Sequence, residues 1–213
     1  MPTPAPTPAL ALTAEQRLES RPFTHPAWSE RDRGVLEAMA GRLRGVLQTE
    51  QPANQAGRLD ILYLTEPDGC AHRVVIVDWA GLMERRTLTV VGFFGQRRED
   101  ADMQATLMAD AVILQQFTEQ PDLLSYCSRQ FPDSQWCNLV LFRTPEGIHH
   151  WASNSYHSRA AREISPNYYN SIRLHNGQLP GGLWSEQPIR LQRTKYYDFQ
   201  AEELWHAVRE FHP

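Results

Sequence analysis

Apolar residues recur along this chain with two different periods, and the switches between them lay out its elements. Val35, Leu36, Met39, Leu43, Val46 and Leu47 fall at helical spacing. They predict a first helix opening at Ser29, with Ser29 and Asp32 read as an N-terminal capping pair. No reactive cluster accompanies that stripe, so it reads as packing. Residues 59–65 and 72–79, parted by Pro67-Asp68-Gly69, predict a β-hairpin. Residues 86–95 predict another strand. Met103, Leu107, Ala111, Val112 and Leu114 mark one side of a helix over residues 100–117, which Pro121 closes. Two more strands are expected over residues 123–128 and 136–143, joined by a turn at Asp133-Ser134. Thr144-Pro145 opens a second main helix, and Ser165-Pro166 a short one holding Tyr168, Tyr169 and Ile172. Asn176-Gly177 predicts a tight turn. Residues 189–197 form the last expected strand, after which Asp198 caps a C-terminal helix carrying Leu204, Trp205, Val208 and Phe211.

The strands carry a further message. A sheet with one wet face alternates apolar and polar residues. Val74-Val75-Ile76-Val77, Val90-Val91, Phe93-Phe94 and Leu139-Val140-Leu141-Phe142 do not alternate, so both faces of the sheet are expected to be covered. One layer of helices covers one face. A second subunit and the N-terminal elements are the candidates for the other, and a dimer packed sheet to sheet is the more economical reading.

Composition narrows the classes. The 213 residues suit a single domain, and 41% hydrophobic with 22% charged residues is ordinary for a soluble globular chain. A net charge of −4 argues against a nucleic-acid or anionic-membrane partner. Arg97-Arg98 and the run from Arg190 to Lys195 read as solvated strand ends. Cys70, Cys127 and Cys137 form no CxxC pair and are read as reduced, which points to the cytoplasm. No apolar run is long enough to span a bilayer. The start lacks a basic region ahead of its apolar residues and so does not read as a signal peptide. Its Pro-Thr-Ala repetition predicts a disordered or extended tail over residues 1–28.

From residue 86 to 198 the order strand–helix–strand–strand–helix–strand is that of a ferredoxin-like core. Its details resemble the antibiotic-biosynthesis-monooxygenase-like superfamily of dimeric α+β barrels. The passage Gln120-Pro121-Asp122-Leu123-Leu124-Ser125-Tyr126 is similar to that family's entry into the second strand, with Asp122 where Gly is usual. The stretch from Thr144 to His157 (TPEGIHHWASNSYH) is similar to the helix that comes after the hairpin. The resemblance implies an α+β domain over residues 29–213. Residues 29–85 are an added helix and hairpin, 86–198 the barrel core and 199–213 the C-terminal helix. It also implies a homodimer.

The same resemblance implies monooxygenase-like or heme-binding chemistry on a small aromatic or apolar ligand. His157 is the residue placed to act as base, or to ligate heme if heme is bound. On a helical wheel Ile148, Ala152, Tyr156 and Ala160 set the apolar arc, with His149 inside it and His150 and His157 at the cleft margin. A histidine supplies a general base near neutral pH without much tuning. His157, Tyr156 and Asn154 are therefore the catalytic candidates. Trp151, His150, Tyr168, Tyr169, Arg173 and His175 are the binding candidates, Arg173 or His175 being suited to a carboxylate or a propionate. The strand over residues 86–95 lacks the Asn that heme degraders use to orient oxygen, so the cofactor is either none or heme. The plainer readings are a half-buried, hydrogen-bonded histidine and a core tryptophan. On these the protein is a non-catalytic dimeric module that binds a small ligand or a protein partner.

Overall fold

The computed structural model describes residues 8–52, 59–133 and 135–211. Residues 1–7 of the expected tail, Ser134 of the expected turn and the last two residues of the expected C-terminal helix lie outside them. Among the described residues nine strands make one sheet: β1 (Leu10–Leu12), β2 (Asp60–Thr65), β3 (Ala71–Ile76), β4 (Leu88–Arg97), β5 (Leu123–Gln130), β6 (Gln135–Phe142), β7 (Tyr169–Leu179), β8 (Arg190–Asp198) and β9 (Trp205–Glu210). The helices are α1 (Ala27–Thr49), α2 (Trp79–Met83), α3 (Met103–Gln115), α4 (Glu146–Ser153), α5 (Ser155–Arg159) and α6 (Ser165–Tyr168).

The sheet order is β1-β9-β8-β7-β4-β6-β5-β3-β2. Its centre, β7-β4-β6-β5, has the strand order of a ferredoxin-like core, with α3 and the α4–α6 stretch as its two crossovers. The β2–β3 hairpin extends one side through β3–β5 pairing, and β8, β9 and β1 extend the other. All neighbours are antiparallel except β1 and β9.

The non-alternating strands are explained by two cores. On one face Val74, Ile76, Leu88, Val90, Phe94, Leu139 and Leu141 pack against Leu36, Met39 and Leu43 of α1. On the other, Val75, Leu123, Val140 and Phe142 pack with Phe117 and Trp151, and with Ile113 and Leu114 of α3. Both faces are thus covered by helices of the same chain, with α1 on the face left to a partner or the N-terminal elements, and the strand pattern calls for no partner subunit. Gly92 allows the close docking: a Cβ there would stand 2.5 Å from Leu36 Cδ1.

Both ends of the chain differ from expectation, for one shared reason. Residues 205–210 form a strand, not a helix, with Ala207 and Arg209 turned inward. The apolar residues there match helical spacing, and an arginine in a core position hides the period of two. Arg209 is fully buried, and its guanidinium donates to the carbonyls of Thr13, Gln16 and Thr24 and to Tyr196 Oη, at 2.6–3.0 Å. Those carbonyls belong to the segment expected to be a loose tail. Residues 13–24 are held in place because a buried cation needs these acceptors.

Asn176-Gly177 is not a turn either. β7 runs through it with a bulge against β8, and a Cβ on Gly177 would stand 2.5 Å from the Arg190 carbonyl oxygen. The glycine serves a close strand approach.

Candidate functional site

The expected second helix breaks in two. Asn154 leaves helical geometry (φ −60°, ψ 127°), and its side-chain oxygen accepts from the backbone N–H groups of Tyr156 and His157 at 3.0 and 3.1 Å. Asn154 is therefore the N-cap of α5, and its side chain is occupied there. A helical wheel drawn through it misplaces the residues beyond the break. Tyr156 is 49% exposed, and His149 and His150 are exposed, with His150 Nδ1 3.7 Å from Asp122. A π-helical turn, Ala160–Ile164, comes directly after α5, and such turns are frequent at functional sites.

His157, in α5, lies half-buried beside α4. Its ring packs on Trp151 at 4.8 Å between centroids, and Trp151 packs on Phe117 at 5.5 Å. Burial pushes the imidazole down to a pKa of about 4, so it is neutral at physiological pH. Neither ring nitrogen makes a hydrogen bond among the described residues.

Tyr168 and Tyr169 meet edge to face at 4.7 Å. Tyr168 Oη lies 3.3 Å from Met103 Sδ, and Tyr169 packs on Phe93 at 5.2 Å. Burial raises the Tyr169 phenol well above its usual value, and does the same to Tyr126, in β5.

Arg173 and His175 do not join this group. Ser171 pairs with Gln96 but Tyr169 with Arg97, so two residues of β7 advance against one of β4. That bulge turns Tyr169 to the α3 side while Arg173 and His175 face α1. There they meet Asp32, expected from the sequence to be part of a helix cap. Arg173 Nε and Nη2 donate to the two carboxylate oxygens at 2.6 and 2.9 Å, and His175 Nε2 lies 2.8 Å from Oδ2. His175 Nδ1 is 2.7 Å from Thr194 Oγ1. The Trp28 ring lies over the Arg173 guanidinium at 4.7 Å. Burial pushes the Asp32 carboxyl up, but the hydrogen bonds from His175 and Arg173 outweigh it and hold the carboxyl below its usual range. Burial lowers His175, against the pull of Asp32.

The Thr194–His175–Asp32 chain has the connectivity of a nucleophile, base and orienter. All three are at most 1% exposed, so no substrate reaches the hydroxyl, and the network reads as structural. Arg173 does bind a carboxylate, as its residue type suggested, but it is the chain's own. The sequence held a signal for this: Asp32 lies four residues before Leu36 and seven before Met39, on the apolar stripe, and a carboxylate there must be paired.

Two surface concavities lie elsewhere. One of about 400 Å³ is lined by Arg17, Leu18, Glu19, Pro22, His25 and Trp28, and one of about 300 Å³ by residues that include Glu37, Arg44 and Ile189. Neither includes His157. Among the described residues there is no group of metal-ligating side chains, and no helix is long and apolar enough to cross a membrane. The three cysteines are free and buried.

No protein-family model and no curated protein matches the chain. Among solved structures it is similar to a Shewanella oneidensis protein (10% identity, 45% of this chain and 93% of that one, TM-score 0.39). It is also similar to a Listeria monocytogenes ferredoxin-fold protein related to antibiotic biosynthesis monooxygenases (12%, 59% and 79%, TM-score 0.32). A third is a monooxygenase-like protein of Listeria innocua (12%, 68% and 89%, TM-score 0.35).

Proposed function

We propose that this protein binds a small aromatic or apolar molecule between the sheet and the α4–α6 stretch, in a monooxygenase-like arrangement with His157 as the polar contact. The observation that carries this reading is His157 itself: a half-buried, neutral imidazole packed at a tilt on Trp151, with both ring nitrogens unbonded among the described residues. His157 is half-buried, and a ligand hydroxyl would give its ring nitrogens a partner. Trp151, Tyr168 and Tyr169 give that ligand aromatic surroundings. Entry requires α5 and the π-helical turn to part from Trp151, and the irregular backbone from Asn154 to Ile164 is the place for such a movement.

With a pKa of about 4, His157 is a weak base, so its role here is to orient a hydroxyl by hydrogen bonding. A heme does not fit this arrangement. Arg173 and His175, the side chains suited to propionates, are bound to Asp32 behind the sheet.

Calorimetric titration with 1-naphthol tests the reading. Saturable binding is expected, weakened at least about tenfold in His157→Leu, the loss of roughly one hydrogen bond. No saturable heat in the wild type, or equal affinity in the variant, removes the proposal. Oxygen uptake during the same titration separates a monooxygenase-like catalyst from a binding module.

A further inference from the structure

Among the described residues, ten large apolar side chains are exposed, and six of them lie on two elements: Ile61 and Tyr63 on β2, and Met103, Leu107, Met108 and Val112 on α3. Concentrations of this kind mark interaction surfaces. Among the described residues β2 is also the end strand of the sheet, and there one side of its backbone has no strand partner. Natural edge strands are usually blunted by a lysine, a proline or a bulge. β2 reads Asp-Ile-Leu-Tyr-Leu-Thr and pairs with β3 without any register shift, so it carries none of the three.

Ile61 and Tyr63 pair with Val75 and Arg73, which places them on the sheet face that carries α3. Arg73 donates to both carboxylate oxygens of Asp110, which fixes α3 over β3, one strand in from the edge. Leu107 and Met108 stand within one turn before Asp110 and are 65% and 66% exposed. The only charged side chain on β2, Asp60, already accepts from Trp79 Nε1.

We infer that β2 is the docking edge for a second copy of this chain, joined antiparallel about a two-fold axis so that two sheets become one. The strand itself singles out this occupant. In such a pair opposite residues share a face, so the crossing point falls on a residue and not between two. Crossing at Leu62 sets Ile61 against the partner's Tyr63 twice, which covers both exposed side chains, and sets Asp60 against the partner's Leu64. No like charges meet. Crossing at Tyr63 would leave Ile61 opposite a threonine. A stable interface takes about 800 Å² from each partner. A six-residue edge supplies only part of that, so the exposed side of α3 completes the contact. The joint is edge to edge and leaves both sheet faces as they are.

Light scattering on the full chain tests this. The wild type is expected at twice 24.5 kDa. Ile61→Lys and Tyr63→Glu, each at an exposed position and each with an unchanged melting curve, should give 24.5 kDa particles. The double variant should recover the dimer, because the introduced lysine and glutamate would face each other twice. Leu204→Lys, at a 53% exposed apolar position elsewhere, should leave the dimer intact. A wild type at 24.5 kDa, or single variants that remain dimeric, overturns the edge. A double variant that stays monomeric overturns the register.

Discussion

A carboxylate on the inward stripe of a helix must find a donor, and Asp32 finds two, Arg173 and His175, both from β7. The three side chains tie α1 to the centre of the sheet through contacts 141 and 143 residues apart in sequence. Asp32→Ala leaves a guanidinium buried without its anion, and removing one partner of such a pair costs about 3–5 kcal/mol. A urea melt of that variant should show a loss of this size, and a loss below about 1 kcal/mol would mean that water had replaced the carboxylate. Residue types at this scale were legible: Arg173 and His175 as groups suited to a carboxylate. Their partners were not, since pairing across such separations depends on which face each strand presents. The bulge at Gln96-Arg97, which separates Tyr169 from Arg173, leaves no mark in the order of residues.

At the scale of elements, periodicity located the long and regular pieces well. α1, the β2–β3 hairpin, β4, α3, β5, β6 and β8 lie within a few residues of where the apolar pattern put them. It failed where a polar residue occupied an inward position or a side chain interrupted a helix. Arg209 disguised β9, and Asn154 divided the segment before the π-helical turn. The Asn154 cap has a measurable role. Asn154→Ala removes the acceptor for two backbone N–H groups at the start of a five-residue helix, at a cost of about 1 kcal/mol. Differential scanning calorimetry should show a lower Tm. If α5 positions His157, the naphthol affinity should fall as well, and an unchanged affinity would show that α5 does not hold the imidazole in place.

The whole molecule combines these terms in its response to pH. Burial lowers the pKa of His72 and His175, and takes His157 to about 4 from an ordinary value of 6.5. Between those two values the unfolded chain holds protons that the folded chain does not, so stability rises with pH across the window. It should be fully present above pH 6.5 and fall as the pH drops toward 4. The His157 contribution is at most about 3 kcal/mol, from 1.36 kcal/mol per pKa unit. Thermal melts over this range should therefore show a rising Tm with pH, with a shallower slope in His157→Leu, and an identical slope would place the imidazole in water. By itself the sequence determined the local elements and the requirement that both sheet faces be covered, because both come from the spacing of apolar residues. Only the tertiary structure decided what does the covering. α1 fits over Gly92 and is anchored by Asp32, so this chain closes its own second face. The same packing divided the expected site, leaving His157 with Trp151 on one side of the sheet and Arg173 with His175 on the other. A strand has two faces, and sequence order alone does not say what lies against each.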